Sequence, residues 1–253
     1  LYFQARWLFR LQNFSPNPIW VAKNRGPGNP TPGSWTKLLH YPFFKEGLIS
    51  YRTVLVNEVC IEQDFKKWSN QRFWGNRVLN TLREKGIPYL LCHSGGKGCH
   101  IHIFFDAGGV EQVTGYKQLR EKLFHYILNW SDIPEKYIGL EKPYDITSYA
   151  FSDTAQGHLI REIGGRKRQR KRVIKEIPEE NNILEGEVIY PKRVPVWKIP
   201  IEVLRALGLE PKFPLSNCNF CEVKIPSEGI VLGDCESAIA PQSIVCLVCK
   251  KRL

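Results

Sequence analysis

The feature that most constrains this chain is the stretch Glu84–Asp106, E-K-G-I-P-Y-L-L-C-H-S-G-G-K-G-C-H-I-H-I-F-F-D. Two apolar, β-rich runs, Tyr89–Cys92 and Ile101–Phe105, flank Ser94, Gly95, Gly96, Lys97 and Gly98. Glycine at three of those five positions permits positive φ and lets backbone come close to a ligand. The pattern therefore predicts a β-hairpin with a glycine-rich, lysine-bearing tip. Alternation after the turn sets His100, His102 and Phe104 on one face and Ile101, Ile103 and Phe105 on the other. Backbone N–H groups at such a tip can cradle phosphate. The competing reading is a glycine hairpin with partly buried histidines.

Upstream, Thr53–Asp64 reads T-V-L-V-N-E-V-C-I-E-Q-D, an apolar strand that ends in acids. Residues two apart on a strand share a face, so Glu62 and Asp64 project together. Two carboxylates at that spacing can share hard divalent cations, which take oxygen ligands. A solvated acidic strand end is the bland alternative. Between the two stretches, Lys66–Lys85 predicts a helix, with Trp74, Val78 and Leu82 on one stripe and Gly86 as its stop.

Carboxylate pair, helix and S-G-x-K-G-x-H hairpin, in that order, resemble the archaeo-eukaryotic primase superfamily, and most of all its archaeal and plasmid-type primase-polymerase domains. The hairpin motif matches as Ser94-Gly-Gly-Lys97-Gly-Cys-His100, and the acidic pair as Glu62-x-Asp64 where that family usually has Asp-x-Asp. A third acid should lie within residues 144–167, with Asp145 first and Asp153 as runner-up. The likeness covers roughly residues 50 to 175. It implies transfer of a nucleotide onto a 3′-hydroxyl or an initiating nucleotide, with Glu62, Asp64 and Asp145 holding two Mg²⁺ or Mn²⁺ ions about 3.5–4 Å apart. By the same resemblance Ser94, Lys97 and His100 grip the triphosphate, Arg161 and Lys167 approach it from the opposite strand, and His158 is a weaker candidate. His102 is read as a support or core residue. The partners implied are a single-stranded DNA template, NTPs or dNTPs, and a large primase subunit or a helicase.

The formal net charge of +11 fits a polyanionic partner. Most of it sits in residues 164–175, which hold seven cations and no acid. Phosphate contact is the favoured reading of that run, and a solvated hairpin tip is the other. Near the C-terminus, Cys218-Asn-Phe-Cys221 and Cys246-Leu-Val-Cys249 stand 24 residues apart. Paired C-x-x-C knuckles close four thiolates around Zn²⁺, and such a closed site is structural; two disulfides are the competing reading, one that suits a small secreted domain. Cys235 is read as a spare thiol or as a replacement for one of the four ligands, and Cys60, Cys92 and Cys99 as core residues.

Around these motifs, residues 1–4 read as an expression-tag remnant outside the fold. Residues 24–34 form a Pro/Gly loop, and Trp7, Phe9 and Trp20 pack an N-terminal layer. A second helix is expected over Glu111–Trp130, with Leu119, Leu123 and Ile127 on its stripe. Strands near Leu159–Ile163 and Val173–Ile177 complete a mixed sheet, and residues 188–213 form a connector with a helix near Ile201–Leu207. The expected fold is α+β: a primase or RRM-like palm at 5–213 with a mixed β-sheet and flanking helices, then a zinc-ribbon-like module at 214–253. Lacking a leader or a membrane-length apolar run, the sequence predicts a cytoplasmic protein of prokaryotic, plasmid or viral origin. Two other functions use the same features. One is a non-catalytic single-stranded nucleic-acid-binding protein, which needs neither Glu62 nor Asp64. The other is a repair-type polymerase of the same fold.

Overall fold

A computed structural model describes residues 1–22, 35–93, 99–110, 114–146, 159–164, 190–209, 215–217 and 224–226. In chain order these form α1 (Tyr2–Phe14), β1 (Trp20–Ala22), β2 (Thr36–Lys37), α2 (Phe43–Glu46), β3 (Tyr51–Thr53), β4 (Glu58–Gln63) and α3 (Trp68–Glu84). Next come β5 (Leu90–His93), β6 (Cys99–Asp106), α4 (Tyr116–Trp130), β7 (Ile138–Gly139), β8 (Tyr144–Asp145) and β9 (Leu159–Arg161). The last are β10 (Val196–Lys198), α5 (Ile201–Ala206), β11 (Leu215–Asn217) and β12 (Lys224–Pro226).

The coarse class is mixed α+β, but the strands divide between two larger sheets rather than one. An antiparallel sheet runs β2-β1-β3-β9. A mixed sheet runs β10-β6-β4-β8-β7, with β5 also on β6. The N-terminal half of β6 pairs with β5 and its C-terminal half pairs in parallel with β10. The expected single strand over Thr53–Asp64 is therefore corrected. Its apolar letters hide a turn at residues 54–57, where Glu58 N–H reaches Leu55 O at 3.2 Å, and the two halves enter different sheets. The strand beginning at Leu159 likewise joins β3 in the first sheet instead of completing the second.

Alternation on β4 and β6 gives the second sheet two different faces. Val59, Ile61, Ile101, Ile103 and Phe105 pack under α3 and α4, against Val78, Leu82, Leu119, Leu123 and Ile127. The predicted stripes are thus core. Helices α3, α4 and α5 each end in a Schellman turn: Ile87 N–H bonds Leu82 O, Ile133 bonds Leu128 O and Leu209 bonds Leu204 O. The residue that closes each turn is itself buried in this core. Gly86 and Gly208 supply the left-handed position, and Asp132 adopts it at φ 50 without glycine's freedom.

The other face, carrying Leu90, Cys92 and Phe104, meets Trp7, Leu8 and Leu11 of α1. Residues 1–4 are not outside the fold. The helix starts at Tyr2, and Gln4 is fully buried. Its Nε2 donates to Ile49 O at 2.8 Å and Ile163 O at 2.9 Å, while its Oε1 accepts from Ile49 N–H at 2.8 Å. Of the three aromatics expected to form an N-terminal layer, Trp7 is core, Trp20 is half-buried and Phe9 is exposed. The second helix begins at Tyr116, five residues later than expected for its start. The 24–34 loop and the 173–177 strand lie outside the described residues.

Candidate functional site

The register of β4 sets three of the residues singled out above, Glu62, His100 and Asp145, in a row. Glu62 pairs with His100 on β6, and His100 pairs with Cys92 on β5. On the other side Gln63 pairs with Tyr144, which sets Glu62 beside Asp145 one step along that antiparallel ladder. Directly opposed residues share a face, so Asp145, Glu62, His100 and Cys92 run across four strands, about 4.8 Å from strand to strand. Asp64 follows at the strand end, its N–H bonded to Pro143 O at 2.9 Å. Glu62, Asp145 and His100 are half-buried and Asp64 is exposed.

The end of β4 is clamped from behind by a residue the sequence reading passed over. Gln63 Nε2 donates to Gln71 O at 3.0 Å, and Gln71 Nε2 returns a bond to Gln63 O at 2.8 Å. Gln71 Oε1 also accepts from Phe65 N–H at 2.8 Å, and Gln63 reaches the Tyr144 hydroxyl at 3.3 Å. This clasp ties the two flanks of Asp64 to α3. It works because position 75 is glycine: a Cβ there would stand 2.7 Å from Gln63 Oε1. Burial pushes the Tyr144 phenol far up, so that it stays neutral between β8 and α3.

Along the same face of β4 burial deepens step by step, from exposed Asp64 through Glu62 and Cys60 to Glu58. Glu58 is fully buried and meets Arg52 in a two-point ion pair, with Nη1 to Oε2 at 2.7 Å and Nη2 to Oε1 at 2.9 Å. Leu55 N–H adds a bond at 2.9 Å, and His102 Nδ1 lies 2.6 Å from Oε1. The Arg52 Nε is 2.6 Å from Glu162 Oε2, whose Oε1 accepts from Trp7 Nε1 and Ile163 N–H. Burial alone would favour neutral Glu58. The Arg52 guanidinium outweighs it and holds the carboxyl well below the usual carboxylate range. Burial would likewise lower Arg52, but Glu58 and Glu162 hold it above its ordinary value. Sequence reasoning missed this network. Its visible signal was a glutamate inside an apolar run, a residue type seldom buried without a partner.

Cys60 lies opposite His102 on the same face, diagonal to His100. One ligand atom from each of Cys60, His100 and His102 lies within 4.8 Å of the others, so the three can hold a metal ion. Among the described residues Glu62, Asp64 and Asp145 do not form so tight a group. Cys60 and Cys92 are buried and form no disulfide among the described residues, and Cys99 is half-buried; burial pushes the Cys99 thiol up, opposed in part by a hydrogen bond with Gln71.

Arg161 is half-buried on β9, opposite Tyr51. Alternation sets it on the other face from Ile160, the neighbour that packs on Cys60, so β9 does not bring it into the row. Ser94, Lys97, Asp153, His158, Lys167, Cys218, Cys221, Cys235, Cys246 and Cys249 lie outside the described residues, as does most of the 164–175 run. No helix among the described residues is long and apolar enough to cross a membrane. No protein-family model, curated protein or solved structure matches the chain.

Proposed function

We propose that this chain is a template-directed nucleotidyltransferase of the primase or primase-polymerase type, which makes primers on single-stranded DNA. The observation that carries the reading is the row Asp145–Glu62–His100, with Asp64 one step beyond at the exposed strand end. Its two acids are among those that the resemblance assigns to catalysis, His100 is one that it assigns to the triphosphate, and the three come from three strands.

The acids fit hard divalent cations. All three offer oxygen ligands, and Glu62 and Asp145 stand side by side on neighbouring strands, where like charges repel unless a cation lies between them. Bound there, Mg²⁺ or Mn²⁺ would stabilise the attacking and leaving oxygens of the displacement. Glu62, Asp64 and Asp145 would hold these ions, and the Gln63–Gln71 clasp would keep the two β4 acids oriented. His100 would donate a ring N–H to the triphosphate, alongside Ser94 and Lys97 of the hairpin. Lys167 and its cationic neighbours would draw in phosphate without reading sequence. Cys218, Cys221, Cys246 and Cys249 would form a separate, structural Zn²⁺ site.

The test is incubation with a single-stranded template, labelled nucleotides and Mn²⁺ or Mg²⁺, with no primer. De novo oligomers are expected from the wild type and none from folded Asp64→Asn or Asp64→Ala. Product from either variant would refute the metal assignment. Product only when a primer is supplied would make the chain an extension or repair polymerase. DNA binding with no product under either condition would make it a binding protein.

A further inference from the structure

We propose that Cys60, His100 and His102 form a second metal site, for a borderline-soft ion such as Zn²⁺, beside the carboxylates of Glu62, Asp64 and Asp145 and sharing His100 with their row. Tetrahedral zinc, with Zn–S of about 2.3 Å and Zn–N of about 2.0–2.1 Å, needs ligand atoms roughly 3.3–3.6 Å apart. The three ligand atoms are already within 4.8 Å of one another. No pair therefore has to close by more than about 1.5 Å to bond the ion. A thiolate with two imidazoles suits zinc, whereas magnesium and manganese prefer the all-oxygen set nearby.

A further observation points to a ligand here: Glu58 Oε1 lies 2.6 Å from His102 Nδ1. A carboxylate behind a histidine fixes its tautomer and orientation and directs the metal to Nε2, as is usual for histidine ligands.

Three protein ligands leave a fourth position for water or a substrate oxygen. Because half-buried His100 pairs directly with Glu62, the site borders the acid row. The two assignments for His100 are compatible, since one ring nitrogen can bind metal while the other N–H donates to phosphate.

The experiment measures bound metal per full-length chain, by elemental analysis after equilibration with Zn²⁺ and dialysis, with neither nucleotide nor Mg²⁺ present. Wild type is compared with Cys60→Ser and His100→Asn, each checked for native circular dichroism. Any zinc on the C-terminal knuckles is common to all three, so the readout is the difference. Each variant is expected to hold one equivalent less, and Cys60→Ser to lose part of the thiolate-to-metal absorption when Co²⁺ replaces Zn²⁺. Equal metal content in wild type and variants would overturn the site. If Cys60→Ser does not fold, the half-buried His100→Asn decides alone. The result is independent of whether primers are made, so this proposal and the polymerase reading can fail separately.

Discussion

At one end of β4, Glu58 is sealed between the two sheets and tied to Arg52, His102 and the Leu55 N–H. At the other, Glu62 and Asp64 share the same face but stand half-buried and exposed beside Asp145. Side-chain chemistry is nearly the same at the two ends, so the difference lies in what surrounds it. A carboxylate taken out of water needs a permanent counter-charge within the fold, and it then belongs to stability. A carboxylate at a half-buried or exposed strand end beside another acid keeps contact with water and costs only some repulsion. One strand therefore carries a buried structural acid and, four and six residues on, the two acids of the proposed site.

The most severe way to break this contrast is Arg52→Met, which leaves Glu58 and Glu162 buried without their shared cation. Removing one partner of a buried pair costs about 3–5 kcal/mol. Urea denaturation should show that loss or an unfolded chain, and an unchanged midpoint would contradict a structural role. The sign of the pH dependence follows from Glu58. Its carboxyl is held below the ordinary range in the fold, so its contribution is complete above the unfolded value of about 4.3 and is lost as pH falls below that. Wild-type stability should drop on acidification below about pH 4, and Glu58→Gln should flatten that limb of the curve.

Next in size is Gln4→Ala. It strips hydrogen bonds from Ile49 and Ile163 backbone groups, at about 1–3 kcal/mol for unsatisfied buried polar groups. A smaller effect on stability is expected from Gly75→Ala. The new methyl displaces Gln63 Oε1, but helix propensity returns up to about 1 kcal/mol. Its signature is a loss of primer synthesis larger than the shift in thermal midpoint, because the clasp behind Asp64 is opened.

Much of this architecture was legible before any coordinates. The stripes of α3 and α4 and the alternation of β6 are period signals that packing merely fulfils, and Gly86 marks a real stop. Glu62, Asp145 and His100 were singled out from the sequence among several other residues and for different roles. What neighbours what came only from strand pairing. The break at 54–57 was hidden because Val54, Leu55 and Val56 form an apolar run, and the chain turns there on Glu58, whose N–H meets Leu55 O and whose carboxylate meets Leu55 N–H. Strands as short as β7, β8 and β10 carry too few residues to show a period. Gln4 joins α1 to residues 45 and 159 positions away, contacts that no local pattern encodes.

The smallest expected stability change is also the most informative, in a side-by-side comparison of Glu62→Gln and Glu58→Gln. Primer-free synthesis on single-stranded DNA should vanish in Glu62→Gln while its stability stays within about 0.5 kcal/mol of wild type. Glu58→Gln should lose stability first, retaining synthesis at temperatures where it remains folded. Full synthesis by Glu62→Gln, or no divalent-dependent synthesis by the wild type, would contradict the account.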